Sequence, residues 1–214
     1  MSVASTALST ALASMAAHAA VRLEFDKAFT DRNEPRQAHY RATYSLNGAE
    51  HRIEVWRDRS VGLRRRTDDA IETHVFKPTG EVEWKMVVLD LKRKIRTDVD
   101  RTNLYRIGQF TDWFSLAHAL TRPIGPYELS ALREPVTNAA PIAPCRWYLL
   151  TQAERSSKVC WSAAWHVPLV ITDRNDKVQW RITEIDSGRL PADTFQVDDR
   201  GFVRNNANED IKTD

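Results

Sequence analysis

The stretch Ala38-His39-Tyr40-Arg41-Ala42-Thr43-Tyr44-Ser45-Leu46 alternates without a break: even positions are apolar or aromatic, odd ones polar. Successive side chains of a strand point to opposite faces, so this segment reads as a strand with one dry face and one wet face. Asn47-Gly48 follows, a pair that favours two-residue hairpin turns because both central residues need positive φ. Glu50 to Arg57, with Ile53 and Val55, completes the predicted hairpin.

The pattern recurs. Val61 to Arg66 and Ile71 to Phe76 are predicted strands, and Arg64-Arg65-Arg66 reads as a solvated edge where charge blocks further pairing. Glu81 to Leu91 sets Val82, Trp84, Met86 and Val88 against Glu83 and Lys85, and its second face turns apolar at Val87 and Leu89. Lys92 to Asp100 reads as a charged tip. Five strands in succession without a βαβ rhythm predict an antiparallel meander.

Then the period changes. Leu104, Ile107, Phe110, Trp113, Phe114, Ala117 and Leu120 recur at threes and fours, the spacing of one helix face. Asp112 to Leu120 is the predicted helix proper, with Thr111 as its cap and Asp112 near its positive end. Residues 123–144 hold five Pro and read as a loop with a short helical piece around Tyr127 to Leu132. Earlier, Val21, Leu23, Phe25 and Phe29 predict a short amphipathic helix over 21–33, stopped at Asn33-Glu34-Pro35. Strands return at Arg146–Gln152, Lys158–Trp165, Pro168–Thr172 and Lys177–Ile185.

The expected fold is mainly β: a strongly curved antiparallel half-barrel of about ten strands with helices covering the open side. An antiparallel sheet with one dry face must curl or be covered. Tyr40, Tyr44, Val55, Trp84, Met86, Trp161, Trp165 and Trp180 supply that face, and Trp113 and Phe114 lie on the helix opposite. A plainly packed core and a ligand cavity are both consistent with such a face.

The N-terminus sets the expected compartment. No Asp, Glu, Lys or Arg occurs from Met1 to Ala20, and Ala17-His18-Ala19 offers small side chains where a signal peptidase cleaves. Residues 1–19 read as a secretory signal, 20–203 as one domain and 204–214 as a flexible tail. Mostly Ala, Ser and Thr, the leader is too weakly apolar to span a membrane. In an oxidising periplasm the two cysteines, Cys145 and Cys160, are most simply a disulfide.

Thirty-one basic residues against 29 acidic ones leave no electrostatic case for nucleic acid. The chain has no G-x-S-x-G, G-x-x-x-x-G-K or G-x-G-x-x-G, and its six His show no metal-ligand spacing. His39 and His51 fall on the wet face of the first hairpin. Asp173-Arg174-Asn175-Asp176 and Asp98-Val99-Asp100 read as turns rather than calcium loops. Catalysis, a cofactor and a metal are not expected.

The order of elements resembles the LolA/LolB-like family of periplasmic lipoprotein carriers and envelope lipid-binding proteins. The pieces that resemble it are the leader, the helix before Tyr40-Arg41-Ala42-Thr43-Tyr44 and the mid-chain helical insertion. C-terminally they are Trp165-His166-Val167-Pro168-Leu169-Val170-Ile171, Trp180-Arg181-Ile182-Thr183 and Leu190-Pro191-Ala192-Asp193-Thr194-Phe195-Gln196-Val197. The resemblance implies an apolar cavity under lid helices that accepts lipid or the acyl chains of lipoproteins. It also implies inner- or outer-membrane transport proteins as partners, in a monomeric carrier. An interaction or sensor module on the same scaffold, without lipid carriage, is the alternative expectation.

Overall fold

The computed structural model describes residues 22–76, 84–100, 113–133 and 140–206. The predicted leader, Val82, Glu83, all of 101–112 (with the predicted cap Thr111 and Asp112) and the last eight residues lie outside them. The described strands are β1 (Gln37–Leu46), β2 (Ala49–Asp58), β3 (Gly62–Thr67), β4 (Ile71–Phe76), β5 (Lys85–Asp90) and β6 (Ile95–Asp100). They continue with β7 (Glu128–Leu132), β8 (Arg146–Gln152), β9 (Arg155–Ser162), β10 (Val167–Asp173), β11 (Val178–Asp186) and β12 (Val203–Asn206). Two short helices accompany them, α1 (Phe25–Ala28) and α2 (Trp113–His118).

All twelve strands form one open sheet in the order β12-β6-β5-β4-β3-β2-β1-β11-β10-β9-β8-β7. Its first half is the expected meander. The hairpin turn has φ of 52° at Asn47 and 81° at Gly48, which closes Leu46 against Ala49. An extra residue, Thr183, bulges β11 opposite Arg41/Ala42, and further shifts interrupt β10. Bulges bend strands and raise their twist, and the sheet fits a curved half-barrel.

Several expectations need correction. The described residues alone form twelve strands rather than about ten, and β12 pairs with β6 in parallel, so the predicted tail is in part a strand at 204–206. The predicted charged tip contains β6, because Ile95, Thr97 and Val99 alternate toward the covered face while Arg96 and Asp98 pair with each other on the other. Asp98–Asp100 therefore belongs to a strand, not a turn. The helical piece predicted at Tyr127–Leu132 is β7, paired to β8 through Leu129↔Leu150 and Leu132↔Trp147. The N-terminal helix shrinks to α1. Arg64–Arg66 is no edge, since β3 lies between β2 and β4. His51 stands opposite Tyr44, stacked on it at 5.1 Å, because the two-residue turn shifts the parity of β2 relative to β1.

Two buried clusters form the core. The first joins Tyr40, Ala42, Val55, Leu63, Val75 and Met86 with Leu169 and Ile182, and takes in Leu116 of α2. The second gathers Phe25 and Phe29 with Tyr148, Val159 and Trp161, and takes in Phe114 of α2. A six-residue helix is too short to persist alone. What holds α2 is that Phe114 and Leu116 bury in different clusters.

Candidate functional site

Cross-strand register decides which side chains meet. Tyr40↔Val55↔Arg65, Ala42↔Ile53↔Thr67 and Arg57↔Leu63 share one face of β1, β2 and β3. On β11, Trp180 faces the same way opposite Tyr44. Ser115, Leu116 and Ala119 approach this face from α2 and the residue that ends it. Between them lies a cavity of about 350 Å³, walled by Tyr40, Tyr44, Ile53, Val55, Leu63 and Trp180 on the sheet side. Arg65 and Thr67 provide its polar end.

Four predicted ligand-lining residues therefore meet at one cavity: Tyr40, Tyr44, Val55 and Trp180. The others stand elsewhere. Trp84 and Met86 are buried in the first cluster, with Trp113 and Trp165 packed against it; Phe114 and Trp161 belong to the second. The sequence reading missed Ile53, Leu63, Leu116 and Arg65 as wall residues. Alternation through Leu63-Arg64-Arg65-Arg66-Thr67 was the available signal for Arg65, masked by three consecutive arginines.

Register also explains the split of that run. Arg64 and Arg66 face away from the cavity and converge on Glu72 Oε2 at 2.8 Å each, while His74 Nε2 contacts Glu72 Oε1 at 2.7 Å. Burial alone would raise the Glu72 carboxyl. Hydrogen bonds from His74, Arg64 and Arg66 outweigh it and hold the group well below the usual carboxylate range. Burial lowers the guanidinium pKa of Arg65 and pushes the Tyr40 phenol up to about 12.

Beside the cavity lies a buried polar cluster. Arg57, 1% exposed, donates from Nη1 to the Ala117 carbonyl at 3.0 Å and from Nη2 to the Trp165 carbonyl at 3.1 Å. Its Nη2 also stands 3.3 Å from Glu34 Oε2. Burial works against both charges of that pair, lowering Arg57 and raising Glu34. His118, the last residue of α2, is wholly buried against the cluster.

The remaining sites are a disulfide and a groove. Cys145 and Cys160 are bonded, with Cα atoms 5.4 Å apart. The groove, about 780 Å³, runs between α1, β7, β8 and Pro141–Cys145. Asp173 Oδ1 accepts from the amides of Asn175 and Lys177, which makes the 173–176 segment the expected turn. Among the described residues, no cluster of His, Cys, Asp or Glu can hold a metal ion, and no helix is long and apolar enough to cross a membrane.

The fold and site define a mainly-β protein with a single open sheet and a cavity of mixed polar and apolar lining beside a short helix. No family model and no curated protein matches the chain. Among solved structures, a crystal structure of MucB aligns at 13% identity with a TM-score of 0.42, covering 80% of this chain and 61% of its own. The chain thus spans less than two thirds of that neighbour.

Proposed function

We propose that this protein is an exported, non-catalytic binder and carrier of a lipid acyl chain, held in the cavity between α2 and the sheet. One observation carries the reading: the wall made by Tyr40, Ile53, Val55 and Leu63 is faced by Leu116 and Ala119 across about 350 Å³. That volume lies at the lower end of small-molecule sites, which run from about 300 to 1,000 Å³. It suits one slender chain rather than several. Each methylene moved from water to such a wall gains ~0.8 kcal/mol, so a chain of ~14 carbons supplies on the order of 10 kcal/mol gross before ordering costs. Arg65 at the polar end is suited to an anionic head group. The disulfide supports export, since such bonds persist in oxidising compartments.

Native mass spectrometry of delipidated protein with palmitate tests the reading. One bound chain per molecule is expected, and an Ile53→Trp variant should bind at least tenfold more weakly. Protein that binds no palmitate, or that binds it equally well with Trp at 53, contradicts it.

The sheet edge favours a second reading, an interaction module. β7 is an edge strand, partly occupied by the Leu23 amide donating to the Leu129 carbonyl at 2.8 Å, and the Pro141–Cys145 groove borders it. Loss of partner capture from an envelope extract on replacing Leu132 and Ala143 by Asp, with palmitate binding intact, would favour this reading.

A further inference from the structure

His118 ends α2 and packs against three other parts of the chain. Its Nδ1 lies 2.6 Å from the His166 carbonyl and 2.8 Å from Arg57 Nη1. One nitrogen cannot serve both. A carbonyl only accepts, so that contact needs a proton on Nδ1; a guanidinium only donates, so the other needs a lone pair there. On the far side of the ring, Nε2 stands 3.7 Å from Glu34 Oε2, and neither atom has a hydrogen-bond partner though both are buried.

We propose that His118 is a proton-operated latch: with Nδ1 unprotonated the ring accepts from Arg57 and fastens α2 to β2, and with Nδ1 protonated it gives up Arg57 for the His166 carbonyl and loosens α2 from β2. The inference does not depend on what the cavity holds. A protonated ring puts a second cation beside Arg57, whose Nη1 also holds the Ala117 carbonyl. That repulsion falls on the last turn of α2, while Nε2–H, carried in both states, stays 3.7 Å from Glu34 Oε2.

Charged and titratable groups face the ring from each neighbouring element. Arg57 comes from β2, Glu34 and Asp31 from the segment before β1, and His166 from the turn between β9 and β10. Phe114 and Trp161 close the remaining sides at 4.6 and 6.3 Å between ring centroids. Burial first, then Arg57, holds the ring down to about 4, so it is neutral at pH 7. Two residues at the latch sit in the left-handed region, Ala119 at φ 51° and His166 at φ 54°. Such backbone persists in a non-glycine residue only where its surroundings impose it.

The test follows the ring nitrogens of His118 and the amides of residues 114–121 by NMR from pH 7.5 to 3.5. The ring is expected to titrate at least one unit below 6.5. The amides of 117–121 should shift at the same midpoint and exchange at least tenfold faster below it, after correction for intrinsic exchange. In a folded His118→Gln variant that coupled transition should vanish. A ring that titrates near 6.5, or titrates without moving those amides, overturns the latch. So does a transition that survives in His118→Gln. Because none of these readouts uses a ligand, the proposed lipid binding stands or falls separately.

Discussion

Arg57 on β2 donates to the carbonyl of Ala117, 60 positions later in the chain, and so fastens the end of α2 to the sheet. The guanidinium is almost wholly buried, and Glu34 is the one carboxylate that contacts it among the described residues. Replacing one partner of a buried pair leaves the other uncompensated, which costs about 3–5 kcal/mol. Arg57→Met should therefore cost less than Glu34→Gln: the methionine variant leaves two neutral carbonyls and a carboxylate whose pKa is already raised, while glutamine strands a permanent cation. Urea unfolding of the two variants checks the order.

Acid should weaken the fold through His118. Its folded pKa, about 4, lies below the ordinary histidine value of 6.5. The folded state thus takes up the proton less readily than the unfolded one. The stability this gives is fully present above pH 6.5 and is lost as pH falls through 6.5 towards 4, by about 3 kcal/mol at most. Glu34, raised by burial, acts with opposite sign and offsets part of the loss near its own titration. Thermal unfolding of wild type and His118→Gln at pH 7 and pH 4.5 should show a shallower decline in the variant.

Glu72 gives a second acid-sensitive contribution. Its carboxyl is depressed in the fold, so the stabilisation is present above about pH 4.5 and drains away as pH falls below it. Glu72→Gln should cost about 2–3 kcal/mol at pH 7, since it leaves Arg64, Arg66 and the buried His74 without their shared acceptor. The difference from wild type should shrink below pH 4 in chemical denaturation.

The disulfide closes a loop of 15 residues between the start of β8 and the end of β9. Chain entropy predicts that Cys145→Ser with Cys160→Ser lowers unfolding free energy by ~3 kcal/mol. The cavity proposed to bind palmitate lies on other strands, so binding by the folded fraction should be unchanged. Denaturant titration and native mass spectrometry together check both halves.

Gly62 opens β3 at φ 152°, where a Cβ would collide with the Val75 carbonyl. Gly62→Ala must push β3 from β4 or break their first pair, Gly62↔Phe76. A loss of at least 2 kcal/mol is expected in urea unfolding, in keeping with a strained backbone position.

Much of the sheet was legible because its strands alternate cleanly. Ala38–Leu46 and the Asn47-Gly48 turn specify the first hairpin by local rules alone, and Met86 and Val88 mark the covered face of β5. β7 was not legible. Glu128-Leu129-Ser130-Ala131-Leu132 is short, contains no aromatic or β-branched residue and becomes a strand only because β8 offers an edge. β12 depends likewise on β6. The cavity was half legible: alternation nominates Tyr40, Tyr44 and Val55, but the depth at which α2 sits is set by Phe114 and Leu116 burying in separate clusters, a tertiary fact. The latch was invisible, because it joins Glu34, Arg57, His118 and His166 from four separate stretches.

Photolabelling with a palmitate analogue carrying a diazirine at its terminal carbon tests the lipid reading most directly. Crosslinks are expected on the cavity wall, at residues 40–44, 53–67, 115–119 and 180, and should be competed away by unlabelled palmitate. Labelling confined to the groove beside β7, or labelling that unlabelled palmitate does not reduce, would contradict a cavity that carries an acyl chain.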